Sequence, residues 1–460
     1  MESSQLQSSW RDPNGFVFRQ NGVIYRQINK SYAADYRLFL SSGLYNELTE
    51  HGLLISHESA KVAPVTPDSS YQVIKPEQIP FISYPYEWCF SQLKSAALTT
   101  LKIEQSALKH GLTLKDASAY NIQFFRGRPI LIDTLSFEQY HEDQPWTAYR
   151  QFCQHFLGPL ALMSYRDVRL GKLLQVFIDG LPLDLAHKLL PVRAYARLSF
   201  LLHIKLHAKA QEKYSGRKQL LHHRQKYSRL ARFGLVDNLC SAIDSLKWRP
   251  PKTTWGNYYA EHNYSAVAMR AKKNLVEDFI KRVKPHSVWD LGANTGEFSR
   301  LASAAGIHTI GFDNDPAAVE RAYLTAVADK DINFLPLVLD LFNPSPGLGW
   351  AHQERDSLIK RGPADLVLAL ALVHHLAIGN NLSFNSIASF LAMLGRWLII
   401  EFVPKTDSQI MKMLLFRKDI FSDYNLANFE QDFRFFFTIE ARSVIPDSGR
   451  ILYLMRNKNI

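Results

Sequence analysis

The chain has 460 residues, and its 47% hydrophobic and 21% charged residues exclude a disordered, fibrous or membrane-dominated protein. Lys and Arg outnumber Asp and Glu by 54 to 43, a formal charge of +11 that permits an anionic partner but selects none. Cys89, Cys153 and Cys240 lie far apart with no C-x-x-C and no histidine cluster at ligand spacing, so no metal site or disulfide framework is expected and a reducing cytoplasm fits.

The first residues lack the basic and apolar regions of a signal peptide. The apolar runs 156–163 and 397–403 fall far short of the roughly 20 residues a bilayer span needs. Apolar and polar residues alternate from Gly15 to Asn29 around Asn21-Gly22, a hairpin signal. Helical spacing is expected from Tyr36 to His51, a loop from His57 to Gln72, an extended stretch to Tyr86, and a long amphipathic helix from Phe90 to His110. Two short strands, Ile122–Phe125 and 129–132, then flank Arg126-Gly127, with Asp116 and Asn121 five apart before them and Asp133 after.

That segment resembles the catalytic segment of protein kinases and small-molecule phosphotransferases. The resemblance implies Asp116 in the base position and Asn121 and Asp133 as metal ligands. No glycine-rich loop and no lysine with a helical glutamate partner accompany it, and Asp133-Thr134-Leu135 replaces Asp-Phe-Gly. Two other readings stand beside an active kinase: a kinase-like fold without that activity, and cap and turn roles for these residues.

Residues 146–233 read as mostly helical and turn basic toward the end, with Lys205, Lys209, Lys213, Arg217, Lys218, Arg224, Lys226, Arg229 and Arg232 against Glu212. A solvated helix is the default and an acidic partner the alternative. The organisation expected is an α+β N-terminal domain over 1–240 for substrate or partner binding, a linker over 241–254 around Arg249-Pro250-Pro251, and an α/β domain over 255–460.

In that last domain an apolar run ends at Asp290, followed by Leu291, Gly292, Ala293, Asn294, Thr295 and Gly296, and then a helical spacing. Strand, glycine turn and helix make a ligand cradle, because glycine lets a ligand approach the backbone. A carboxylate at this point would repel a pyrophosphate and suits a ligand bearing an ammonium. The stretch resembles motif I, D-x-G-x-x-x-G, of the class I S-adenosylmethionine-dependent methyltransferases.

The following strands agree with it. Thr309–Asp313 ends in an acid about 20 residues beyond Gly292, where such folds hold ribose hydroxyls, and Asp315 before Pro316 reads as a helix cap. Phe334–Leu339 ends at Asp340-Leu341, and the resemblance places that pair against the adenine. Ala364–Leu370 leads to His374-His375-Leu376, a frequent ending of the family's fourth motif, and a fifth strand carries Glu401. Four strand ends thus carry polar residues, each followed by a helix pattern, and 435–441 and 450–456 can close the sheet as an antiparallel pair.

The fold expected is a doubly wound, Rossmann-like seven-stranded methyltransferase sheet. The resemblance implies S-adenosyl-L-methionine as cofactor, held by Asp290, Gly292, Asn294, Gly296, Asp313, Asp340 and Leu341, with Tyr259 or Tyr264 near the sulfonium. His374, His375 and Glu401 are the candidates for a general base. The acceptor is expected to present an O or N nucleophile on a small molecule or a lipid- or glycan-like compound; no strong nucleic-acid signature is present, and the Asn/Asp-Pro-Pro-aromatic motif of base-amino methylation is absent. The competing classes are a cofactor-binding scaffold without turnover and an NAD(P)-dependent oxidoreductase.

Overall fold

The computed structural model describes residues 4–206, 228–251, 264–415 and 418–459. Tyr259 and most of the basic run, from Lys209 to Lys226, lie outside the described residues. Contacts divide the chain into two compact units, 1–249 with 347–355 and 250–346 with 356–460.

In the first unit, β1 (Ser4–Gln5), β2 (Gly15–Gln20), β3 (Val23–Asn29), β4 (His57–Ser59) and β5 (Ser70–Pro76) form an antiparallel sheet in the order β1-β2-β3-β5-β4. Asn21 and Gly22 turn the β2–β3 hairpin with φ of +52° and +80°, as the Asn-Gly signal requires. The helix expected from Tyr36 to His51 is two helices, α1 (Ala33–Ser41) and α2 (Leu44–Glu50). Gly43, at φ +85°, separates them in the left-handed conformation that ends a helix.

After α3 (Phe90–Lys109) come β6 (Leu112–Leu114), the hairpin β7 (Ile122–Phe125) and β8 (Arg128–Leu131), and β9 (Phe137–Gln139), which pairs back onto β6. Short helices fill much of 149–206, and α4 (Arg229–Ser245) packs on α3. The segment 347–355 is counted here because buried Glu354 accepts Arg11 Nη2 at 2.8 Å and Trp10 Nε1 at 3.2 Å.

The second unit opens with α5 (Ala266–Val283), capped by Ser265 Oγ on the Ala268 amide at 3.0 Å. Seven strands follow: β10 (Ser287–Leu291), β11 (His308–Asp313), β12 (Phe334–Val338), β13 (Ala364–Ala369), β14 (Gly395–Phe402), β15 (Phe437–Val444) and β16 (Ile451–Asn457). Their order is β12-β11-β10-β13-β14-β16-β15. Strands β10 to β14 run parallel, while β16 is antiparallel to both β14 and β15.

Because helices cover both faces, the central strands are apolar along their whole length and read as continuous runs such as Leu366-Val367-Leu368. The core under β10, β13, β14 and β16 takes Ala268, Val276 and Ile280 from α5 against Val288, Leu366, Ile399 and Leu452. Pro336 is tolerated inside β12 because β12 is an edge strand. This doubly wound sheet, with its inserted antiparallel strand, is the Rossmann-like fold of class I S-adenosylmethionine-dependent methyltransferases.

The loop expected from His57 to Gln72 carries β4 and the start of β5, and a further expectation fails in the sheet unit. Helices α6 (Ser299–Ala304) and α7 (Pro316–Ala328) follow β10 and β11, but only the single turn Leu358–Arg361 forms an α-helix between β12 and β13. Asn343-Pro344-Ser345-Pro346-Gly347-Leu348-Gly349 carries two prolines and two glycines, which deny a helix its amides and its rigidity. Helices α8 (Phe384–Leu394) and α9 (Leu426–Phe436) complete the layers. Among the described residues no helix is long and apolar enough to cross a membrane.

Candidate functional site

The parallel register brings the carboxyl ends of β10, β11 and β12 side by side: Leu291 faces Phe312, and Asp313 faces Val338. Asp290, Asp313 and Asp340 therefore stand at three adjacent strand ends, the edge at which doubly wound sheets bind ligands.

The glycine turn after β10 is held by its own amides. Gly292 and Ala293 donate to Phe312 O at 2.8 and 2.9 Å, and Asn294 donates to Asp313 Oδ2 at 2.8 Å. Thr295 donates to the Asn294 side chain at 2.9 Å, and Gly296 to Ala293 O at 2.8 Å. Gly292, Asn294 and Gly296 have φ of +78°, +52° and +82°. Among the described residues a Cβ on Gly292 would meet only Leu372 Cδ1, at 3.4 Å, so that glycine leaves room for a close approach. A Cβ on Gly296 would lie 2.7 Å from the Phe334 ring. Gly296→Ala should therefore cost about 1–3 kcal/mol in urea denaturation, from overpacking and a left-handed backbone.

Asp313 is half-buried, and its Oδ1 accepts the Asp315 amide at 2.8 Å. Burial pushes its carboxyl up to about 6 against the pull of those backbone donors. Asp290 lies deeper, at 2% exposure, with Oδ2 accepting Ser299 Oγ at 2.6 Å. Burial, with nearby Asp313 adding to it, pushes Asp290 also to about 6. Asp290 thus braces the turn against α6, and Asp313 is the acid turned toward the cradle. Asp315 caps α7 by accepting the Ala317 amide at 2.8 Å. Asp340, half-buried, accepts the Phe342 amide at 2.9 Å, and Leu341 beside it is half-buried too.

Glu401, at the end of β14, is fully buried with every oxygen engaged. Oε2 accepts Lys272 Nζ at 2.7 Å and the Ala371 amide at 2.8 Å, and Oε1 accepts the Tyr264 hydroxyl. Arg450 Nη1 donates to the Tyr264 hydroxyl at 2.6 Å and lies 3.6 Å from Glu401 Oε1, and its Nε reaches Asp407 Oδ2 at 2.8 Å. Burial alone would raise Glu401, but Lys272 and Arg450 hold it below the usual carboxylate range. Burial lowers Lys272, whose ammonium also sits 4.7 Å from the Phe298 ring centre. Tyr264 is therefore part of this ion network.

The network fixes the loop after β13. Ala371, held by Glu401, has φ +50° and leads into His374-His375, whose rings lie tilted by 39° with centroids 4.1 Å apart. His374 is 1% exposed, and its Nδ1 has no hydrogen-bond partner among the described residues. Burial, then the neighbouring His375 and the cations Arg450 and Lys272, hold His374 well below the usual histidine range. Burial lowers the half-buried His375 to about 4. Both rings are neutral at physiological pH.

Sequence reasoning missed Lys272 and Arg450. Lys272 carried a signal: it lies on the apolar stripe of α5 between Ala268 and Val276, where a lysine needs a buried partner. Arg450 had none.

The chain is 35% identical to nodulation protein NoeA of Rhizobium meliloti (strain 1021) over 456 residues, 98% of this chain and 95% of that protein. The chain belongs to the NoeA family. No family model matches it. Among solved structures, magnesium protoporphyrin IX methyltransferase (ChlM) from Synechocystis PCC 6803 with bound SAH is 22% identical, with TM-score 0.32 over 44% of this chain and 93% of that one. The PH0226 protein from Pyrococcus horikoshii OT3 is 17% identical, with TM-score 0.31 over 44% and 96%. At those scores the methyltransferase fold of this NoeA relative rests on its strand order and on the turn after β10.

Proposed function

We propose that the chain is an S-adenosylmethionine-dependent methyltransferase acting on an oxygen or nitrogen nucleophile of a small-molecule or lipid- or glycan-like acceptor in the cytoplasm. The carrying observation is the turn after β10, whose five successive amides from Gly292 to Gly296 are all spent inside the protein. A pyrophosphate needs free amides at this point and no carboxylate. This turn offers neither, which speaks against a nicotinamide dinucleotide. It suits a nucleoside that carries a positive charge and no phosphate.

The cofactor supplies an already activated methyl group, so the protein's work is positioning and exclusion of water. Asp313, at the rim of the turn, accepts the Asn294 and Asp315 amides, draws on Asn314 as well, and uses its remaining acceptor capacity for the ribose hydroxyls. Asp340 and the backbone of Leu341 take the adenine side. Asp290 holds the turn in shape through Ser299 and adds negative potential beneath it. Glu401 keeps the His374 loop in place and is not free to move a proton.

The two imidazoles are neutral and weakly basic. They accept a hydrogen bond from the acceptor's O–H or N–H and orient its lone pair toward the methyl group. His375, the less buried of the two, is the one an acceptor reaches first.

The test is transfer of an isotopically labelled methyl group from S-adenosylmethionine into cell extract, read by mass spectrometry. The proposal expects a labelled product with wild type and its loss with Asp313→Ala. Cofactor binding with no labelled product from any extract would favour the scaffold reading.

A further inference from the structure

The N-terminal unit carries a second constellation, and it contradicts the ligand its resemblance implies. Helix α3, β6, the Asp116–Asn121 loop, the β7–β8 hairpin, Asp133 and β9 follow one another, and β9 folds back on β6. This brings the three separated residues together. Asn121 bonds the Asp116 side chain and donates to Ser136 Oγ at 3.4 Å, and Ser136 Oγ donates to Asp133 Oδ2 at 2.6 Å.

A divalent cation bound here would need open carboxylate oxygens about 2.0–2.1 Å from the metal, in a shell completed by water and phosphate. Asp133 offers no such face. Its Oδ1 is 2.5 Å from Arg26 Nη1 and also accepts the Leu135 amide at 3.2 Å. Arg26 comes from β3, is 8% exposed, and its other end lies 4.0 Å from Asp12. Its Nε is buried without a hydrogen-bond partner among the described residues. Asp116 Oδ1 accepts the Ser118 amide at 2.9 Å. The first-turn glutamate of α2, Glu47, pairs with His110 at 2.7 Å rather than with a β3 cation. These residues do not fit a metal–nucleotide complex.

We infer that Arg26 is the resident cation of this loop. Its guanidinium balances the charge that a divalent ion balances in a phosphotransferase, and the pair pins β3 to the loop. The N-terminal unit is thus a self-neutralised scaffold, complete without nucleotide or metal.

Two measurements on the full chain test this. The first is electron paramagnetic resonance of free against bound Mn²⁺, with and without ATP. Wild type and Arg26→Lys should hold no Mn²⁺, with or without ATP. Arg26→Gln uncovers the acids and should bind Mn²⁺ saturably where wild type binds none, and adding Asp133→Asn should abolish that binding. The second is thermal melting. Arg26→Gln and Asp133→Asn should each lower the melting temperature, and the double variant should recover part of the loss, because neither group is then left buried and unpaired. Stoichiometric Mn²⁺–ATP binding by wild type, lost in Asp133→Asn, would overturn the inference. So would a folded Arg26→Gln that binds no Mn²⁺, or melting losses that simply add.

Discussion

Asp313→Ala is expected to weaken S-adenosylmethionine binding by about a hundredfold, measured by calorimetry. The carboxylate stands at the end of β11 with both oxygens on the rim of the turn. Two ribose hydroxyls bonded to a charged acceptor contribute roughly 1.5–3 kcal/mol each, and about 3 kcal/mol in total is two decades of affinity. Alanine also frees the Asn294 and Asp315 amides, so part of the loss is a loosened turn. Asp313→Asn keeps an acceptor oxygen and the shape, and should lose less.

The same residue sets a pH dependence. Burial lifts Asp313 to about 6, and the ionised form is the better acceptor. Affinity should climb as pH rises through about 6 and level off above it, and Asp313→Asn should flatten that climb. Stability of the free protein runs the other way. Asp290 and Asp313 have raised carboxyls, so between about pH 4 and 6 the folded chain keeps protons that the unfolded chain has released. Their contribution to stability therefore falls as pH rises across that window.

Glu401→Ala should be the most damaging single change to the sheet unit, costing about 3–5 kcal/mol in denaturant unfolding. It leaves the buried Lys272 ammonium with the Tyr264 hydroxyl but no carboxylate, and leaves the Ala371 amide and Tyr264 hydroxyl without their acceptor. Arg450 keeps Asp407 and suffers less. Glu401→Gln should cost less than alanine, and Lys272→Met/Glu401→Gln should regain part of the loss, since neutralising both partners removes the stranded charge. Lys272 and Arg450 hold Glu401 low, so its stabilising effect is present above the ordinary carboxylate range and disappears as the pH drops through its folded value.

How much of this was legible in the sequence follows from the range of the interactions. The parallel strands were readable because each is an apolar run closed by a polar residue, a pattern held within a few positions. The Asn21-Gly22 hairpin and the Asp315 cap are equally local. The break at Gly43 was missed, because the apolar spacing on either side of it reads as one helix.

The network around Glu401 could not be read. It joins Tyr264, Lys272, Asp407 and Arg450, and only folding puts them within bonding distance. The depth difference between Asp290 and Asp313 was hidden for the same reason. Two acids at equivalent strand ends look alike until Ser299 of α6 covers one of them.

The central claim is that the turn after β10 takes a positively charged nucleoside without phosphate. Calorimetric titration of the full-length chain with S-adenosylmethionine, and separately with NAD⁺, tests it most directly. The account predicts saturable one-to-one binding of S-adenosylmethionine and no heat from NAD⁺. Binding of NAD⁺ that competes with S-adenosylmethionine, or no binding of S-adenosylmethionine at millimolar concentration, would contradict it.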